Sequence, residues 1–288
     1  MPEISAAMVM ELRKMSGQGM MDCKKALQEA DGDVEQAMDI LRKKGLATLA
    51  KRAGRDTSEG LVVCKGSSDG KTAIMATLCC ETDFVAKSDD FVATAKTLAD
   101  YAMACPANEG SDKLLETSID GKLFNDILTE TVSKTGEKTQ VGDYAKYTLD
   151  GPGLIGTYIH FNEKVGTMVQ IETSDEATAD SDVLKQTATD IAMHITATKP
   201  LALDKDQIDP ETIKREKAIF AEQVKGKPEN IIEKIVEGKM HKFYVENCLL
   251  QQPFVKDDSK TIEQVLTEAA KQAGGQAKIK RFVRFEVG

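Results

Sequence analysis

Histidine occurs only three times, at His160, His194 and His241, far apart along the chain. No H-E-x-x-H pair and no Cys/His cluster offers metal ligands at a workable spacing. A G-x-S-x-G elbow is missing, so nothing marks a serine nucleophile. The six cysteines (Cys23, Cys64, Cys79, Cys80, Cys105 and Cys248) form no C-x-x-C pair, and a chain of 288 residues does not need disulfide staples. Reduced thiols and a cytoplasmic location are expected. No apolar run approaches membrane-spanning length, and the N-terminal "MPEISAAMVMELRK" is amphipathic and carries acids, unlike a secretory or mitochondrial leader. Positive charge is also in deficit: the net charge is −9, which gives no overall pull towards nucleic acid.

The chain that remains is 41% hydrophobic and 30% charged, as in ordinary globular proteins, and long enough for one large core or two modest ones. Residues 1–55 hold ten Lys/Arg against eight Asp/Glu, so this segment is slightly basic while the rest carries the acidity. That asymmetry suggests a separate N-terminal unit, read here as three short helices. Ile4, Met8 and Leu12 line one face of the first. "GQGMM" breaks it, and Asp22 is expected to cap "CKKALQEA". Val34, Ala37, Met38 and Leu41 make the stripe of a third helix, which Gly45 is expected to end. Packing in such a bundle should claim at least one of Met20 and Met21. The basic stretch "KRAGRDTSEG" is the expected linker.

Beyond it, "LVVCKGSSDGKTAIMATLCC" reads as a β-hairpin. Its turn, "GSSDGKT", imitates a phosphate-cradling loop. The glycines are one residue too close, however, and the segment lies between two strands instead of opening a helix; no nucleotide site is expected there. Cys79 and Cys80 end the second strand with side chains on opposite faces, and nothing nearby would activate a thiol. "FVATAKTLADYAMA" and "KLFNDILTETVSK" are helical, and "YAKYTL", "LIGTYIHF" and "VGTMVQIE" are strands. Leu184, Ala188, Ile191, Ala192 and Ile195 stripe another helix, beside which His194 is expected to be a satisfied structural group. Two charged helices, Glu211 to Val224 and Glu229 to Asn247, form an αα-hairpin with a narrow apolar seam (Ile213, Phe220 and Val224 against Ile232, Ile235, Val236 and Phe243). A helix with Ile262, Val265, Leu266 and Ala269 follows, then the strand "KIKRFVRFEV". Without a sustained βαβ rhythm the fold class is α+β.

The segment "LCCETDFVAKSDDF" poses the sharpest question, because Phe84 and Val85 follow Asp83 at a strand-to-helix corner. Read from the residues alone, Phe84 docks into its own core at the start of a helix that Thr82 caps.

"GMMDCKKAL", "CETDFVAKSDDF", "IAMHITATKP", "QPFV" and "RFEVG" together resemble bacterial elongation factor Ts in order and spacing, over essentially the whole chain. The resemblance implies a ubiquitin-associated-like three-helix module (1–55), a core N-subdomain (56–142) and a core C-subdomain (143–288) with the hairpin at about 210–247 inserted. It further implies exchange of GDP for GTP on elongation factor Tu without covalent chemistry or a cofactor. Thr82, Asp83, Phe84 and Val85 match the segment that dislodges Mg²⁺ from the partner, with the phenylalanine acting as a wedge. Arg13, Met20, Met21, Thr135, Gly136, His160 and Val255 match partner-binding positions; Phe161 and Asn162 follow His160 where the family has a glycine. Neither nucleic acid nor membrane is expected as a partner. The hairpin seam leaves open a homodimer or a two-plus-two complex. An interaction scaffold that binds without accelerating nucleotide release is the competing reading.

Overall fold

The computed structural model describes residues 4–52, 54–226 and 228–288. Three helices come first, α1 (Ala6–Ser16), α2 (Met20–Glu29) and α3 (Val34–Arg52). Val9, Leu12, Cys23, Ala26, Leu27, Ala37 and Leu41 close a small core of their own, with Ile4 and Met8 at its edge. Asp22 is not the cap of α2. That helix starts three residues earlier, at Met20 with Gly19 as N-cap, and Asp22 sits in its first turn, where its charge complements the helix dipole and pairs with Lys44.

The chain then builds two similar halves. The first contains β1 (Glu59–Gly66), β2 (Thr72–Cys80), α4 (Asp83–Ala86), α5 (Asp89–Ala104), α6 (Ser111–Leu115), the short strands β3 (Ser118–Ile119) and β4 (Lys122–Leu123), α7 (Phe124–Thr135) and β5 (Thr139–Thr148). Its sheet has the order β1-β2-β5, antiparallel throughout. β5 crosses the division expected after residue 142, and its pairing with β2 continues to Thr148. The second half contains β6 (Gly153–Ile159), β7 (Val165–Thr173), α8 (Glu176–Asp180), α9 (Asp182–Thr198), α10 (Pro210–Glu222), α11 (Glu229–Asn247), β8 (Pro253–Phe254), β9 (Asp257–Thr261), α12 (Ile262–Gln272) and β10 (Ala277–Glu286). Its sheet runs β10-β7-β6, again antiparallel.

Strand alternation explains the layering. On β2, Ile74, Ala76, Leu78 and Cys80 face α5 and join Phe91, Leu98 and Phe124 in one core. Ala73 and Met75 point the other way and meet Met168 of β7 together with Val62 and Tyr147. Val169 and Ile171 of β7 turn in their turn towards α9 and its stripe Leu184, Ala188, Ile191 and Ile195. The order is helix, sheet, sheet, helix, with the two sheets face to face: an α+β core behind a three-helix segment.

The helical segment does not stand clear of this core. Gly45 was expected to end the third helix, yet α3 runs on to Arg52. Gly45 is buried mid-helix, where a Cβ would lie 3.0 Å from that of Ser133 and 3.1 Å from the Thr129 carbonyl. It is a close-approach point between α3 and α7, flanked by the Arg42–Asp126 ion pair.

The helical hairpin α10–α11 is thinly covered. At its base Ile213, Phe243 and Tyr244 pack against a small cluster of Ala202, Ile208 and Cys248. No residue of α10 is buried, and Met240 is the buried residue of α11. The phosphate-loop imitation joins β1 to β2, and its backbone donors are used locally: Lys71 N–H donates to Asp69 (3.0 Å) and Thr72 N–H to the Ser67 hydroxyl (2.9 Å).

Candidate functional site

β2 ends at Cys80, whose ladder partner is Thr139 at the start of β5. Past that pair, side-chain carboxylates take over from backbone carbonyls as acceptors. Glu81 accepts the N–H of Lys138 (2.6 Å). In return Glu137 accepts the N–H of Thr82 (3.0 Å) through one oxygen and its hydroxyl (2.8 Å) through the other. Each carboxylate thus holds the backbone of the opposite strand. Charge-assisted bonds of this kind are roughly twice as strong as neutral ones. Glu81 also receives Arg52 at the end of α3 (2.8 Å) and Arg55 of the linker (2.7 Å). Its side chain is 11% exposed. Burial works against the charge, but the Lys138 N–H and the two guanidiniums outweigh it and hold the carboxyl down at about 2.

Thr82, so fixed, is the N-cap of α4, its hydroxyl accepting from the N–H of Val85 (3.4 Å). One turn of helix follows. Val85 is half-buried against the first core and Ala86 is fully buried. Phe84 points outward at 83% exposure, so it does not dock into its own core as the residues alone suggested. Asp83 pairs with Lys87 (2.8 Å). That ammonium holds its carboxyl below the usual range, and the more distant Lys164 adds to the effect. A benzyl group and a carboxylate are therefore presented side by side on a short, capped turn.

Several other candidates adjoin this turn. Gly136 closes α7 in the left-handed region, at φ 71°, a conformation that suits glycine. Glu137 follows it directly, with its N–H directed at the Thr135 hydroxyl (3.4 Å). Thr135 and Gly136 thus belong to the same loop as the acceptor of Thr82. Lys134, one residue earlier, lies against Gly17 in the turn between α1 and α2; Arg13 and Met20 are exposed on the two helices that this turn joins. Met20 and Met21 are both exposed, at 40% and 64%. The bundle is already filled by Leu12, Cys23 and Leu27, so packing claims neither of them.

His160 directly follows β6, half-buried, with Tyr158 Oη 3.4 Å from its Nδ1. The β6–β7 turn is tied to the first half by Val62 N–H to the Glu163 carbonyl (2.7 Å) and by Lys164 to Glu59 (2.6 Å). Next to His160, Phe161, which enters the sequence argument only as a departure from the family's glycine, is 88% exposed with its ring 4.4 Å from the histidine's. Its exposure could have been suspected from the Phe-Asn pair in a turn.

Val255 is carried elsewhere, beyond β8, and is half exposed. Its N–H donates to Nδ1 of the buried His194 (3.3 Å), while Nε2 of that ring bonds Gln252 Oε1 (2.9 Å). Accepting at Nδ1 makes Nε2 the protonated nitrogen, and burial lowers the ring's pKa. The histidine is structural, and its work is to pin "QPFV" to α9. Burial also pushes the thiols up, Cys64 to about 11 and Cys80 to about 12, the opposite of what a reactive cysteine needs.

A sequence model of the family described as Elongation factor TS matches residues 81–288. Elongation factor Ts of a Nitratiruptor species is 46% identical over 287 residues, spanning 99% of this chain and 93% of that protein. Elongation factor Ts of Nitratidesulfovibrio vulgaris is 43% identical over 288 residues, with 99% and 96% covered. That of Clostridium botulinum is 42% identical over 287 residues, with 99% and 93% covered.

Proposed function

The chain belongs to the elongation factor Ts family, and on that premise we propose that it binds elongation factor Tu carrying GDP, dislodges the bound Mg²⁺ and lets GDP leave so that GTP can enter. The observation that carries this reading is Phe84. It is a large apolar side chain held out in water on a capped, clamped turn beside Asp83. GDP is held by Mg²⁺ and by backbone donors around its phosphates, so a small displacement of that cradle removes much of its affinity. In this reading Phe84 is the wedge, Asp83 orients the contact, Thr82 caps the turn and Val85 roots it in the core.

Magnitudes require further contacts. Burying Phe84 in a partner contributes roughly 1.5–3 kcal/mol, whereas weakening a bound nucleotide 10⁴-fold takes about 5.5 kcal/mol of differential binding. We assign the remainder to Arg13, Met20, Met21, Thr135, Gly136, His160 and Val255. Of these, Thr135 and Gly136 directly precede Glu137, the acceptor of Thr82. In this scheme the protein is an exchange factor without covalent chemistry or a cofactor of its own, acting in the cytoplasm, and residues 1–55 form a module that adds affinity. Stopped-flow release of a fluorescent GDP from elongation factor Tu, with and without this protein, tests the proposal. Acceleration by orders of magnitude is expected; tight binding without acceleration would leave the scaffold reading standing instead.

A further inference from the structure

We propose that Glu137 is a positioning residue for exchange: its carboxylate sets the angle at which Phe84 leaves the core and couples that angle to the Thr135–Gly136 loop. The inference rests on the exchange reading above and deepens it. A single helical turn does not hold itself, because nucleating a helix costs more than one turn returns. Phe84 makes no core contact that would orient it, being 83% exposed. What fixes α4 is its anchor on the core side, Val85 and Ala86, and its cap. The cap is a relay of three groups. Glu137 binds both polar hydrogens of Thr82 (3.0 and 2.8 Å), and the same threonine hydroxyl accepts from Val85 N–H (3.4 Å).

Glu137 lies 55 residues away from Thr82 in sequence but immediately after Gly136. Any contact that shifts the Thr135–Gly136 loop therefore moves the acceptor on which the wedge hangs. The opposite carboxylate extends the same arrangement to the helical segment, since Glu81 holds Lys138 N–H together with Arg52 and Arg55. The two stretches proposed to touch the partner thus meet at two exchanged carboxylates, one of which also receives the end of the helical segment.

The test is a double-mutant cycle on GDP release from elongation factor Tu. Glu137→Ala removes both bonds and should slow release about tenfold, the scale of hydrogen bonds to a charged group. Glu137→Gln keeps the length and one acceptor oxygen and should fall between, about threefold. Thr82→Val removes the hydroxyl that Glu137 holds and should resemble Glu137→Gln. In the Phe84→Ala background, Glu137→Ala should add less than twofold, since nothing is left to aim. Thermal melts normalise every rate to folded protein. If Glu137→Ala does not fold, Glu137→Gln and Thr82→Val carry the cycle. Full-rate exchange by the Glu137 variants, or fully additive losses with Phe84→Ala, would overturn the proposal. A slow Phe84→Ala beside a full-rate Glu137→Ala sinks this inference alone, and a full-rate Phe84→Ala sinks the wedge reading together with it.

Discussion

Phe84→Ala separates a side chain that serves a partner from one that serves the fold. At 83% exposure the ring contributes little to the native core, and truncating an exposed side chain away from a cap or a network changes stability by no more than about 0.5 kcal/mol. For a domain of this size that is a melting shift of roughly 1–2 °C. Had Phe84 been packed inside, the same change would cost about 3–5 kcal/mol. In the complex the balance reverses. A ring buried by the partner contributes roughly 1.5–3 kcal/mol, or about 10- to 100-fold in an equilibrium or a rate. The assay is fluorescent GDP release under excess exchange factor, paired with affinity for nucleotide-free elongation factor Tu. The rate should fall by more than the affinity does, because the wedge acts while Mg²⁺ and GDP are being displaced. A melting loss of about 10 °C with normal exchange per folded molecule would refute the reasoning.

The remaining expectations concern the surroundings of the wedge. Glu81→Gln should destabilise the protein by up to about 3 kcal/mol at neutral pH, the equivalent of a carboxyl lowered from 4.5 to about 2. Because the folded pKa is depressed, that stability is present above about pH 4.5 and lost as pH falls towards 2; a wild-type minus Glu81→Gln difference that persists at about pH 2 would contradict it. Deleting residues 1–55 should leave the two-sheet core folded, with a melting temperature a few degrees lower once Arg52 and Arg55 are gone from Glu81, and should weaken partner binding. Circular dichroism showing an unfolded remainder, or exchange at the full rate, would defeat the module assignment. Phe161→Ala should leave the melt unchanged, since the ring is 88% exposed, and weaken the complex about tenfold if the β6–β7 turn meets the partner beside α4; an unchanged dissociation constant would remove that turn from the interface.

What could be read from the sequence, and what could not, divides by the distance over which a cause acts. The three-helix segment, the β1–β2 hairpin, the stripe of α9 and the α10–α11 hairpin follow from periodicity and turn chemistry within a dozen residues, and all four are there. Gly45 misleads because a glycine after "RKK" looks like a helix stop, while its real cause is a distant helix, α7, that needs room at Thr129 and Ser133. Asp22 misleads because a good capping residue loses to Gly19, from which the chain can already turn into the helix. Phe84 is the instructive case. Phe84, Val85 and Ala86 are three consecutive apolar residues on one turn, and a helix can bury only part of such a set. Which of them faces out depends on the rotation of the turn about its cap, and that rotation is held by Glu137 from the end of the neighbouring strand. No window of sequence around "TDFVAK" contains that carboxylate. The exposure of Phe84 is a property of the Cys80–Thr139 strand end as a whole, which is why residue-by-residue reasoning places the ring inside and the folded chain places it in water.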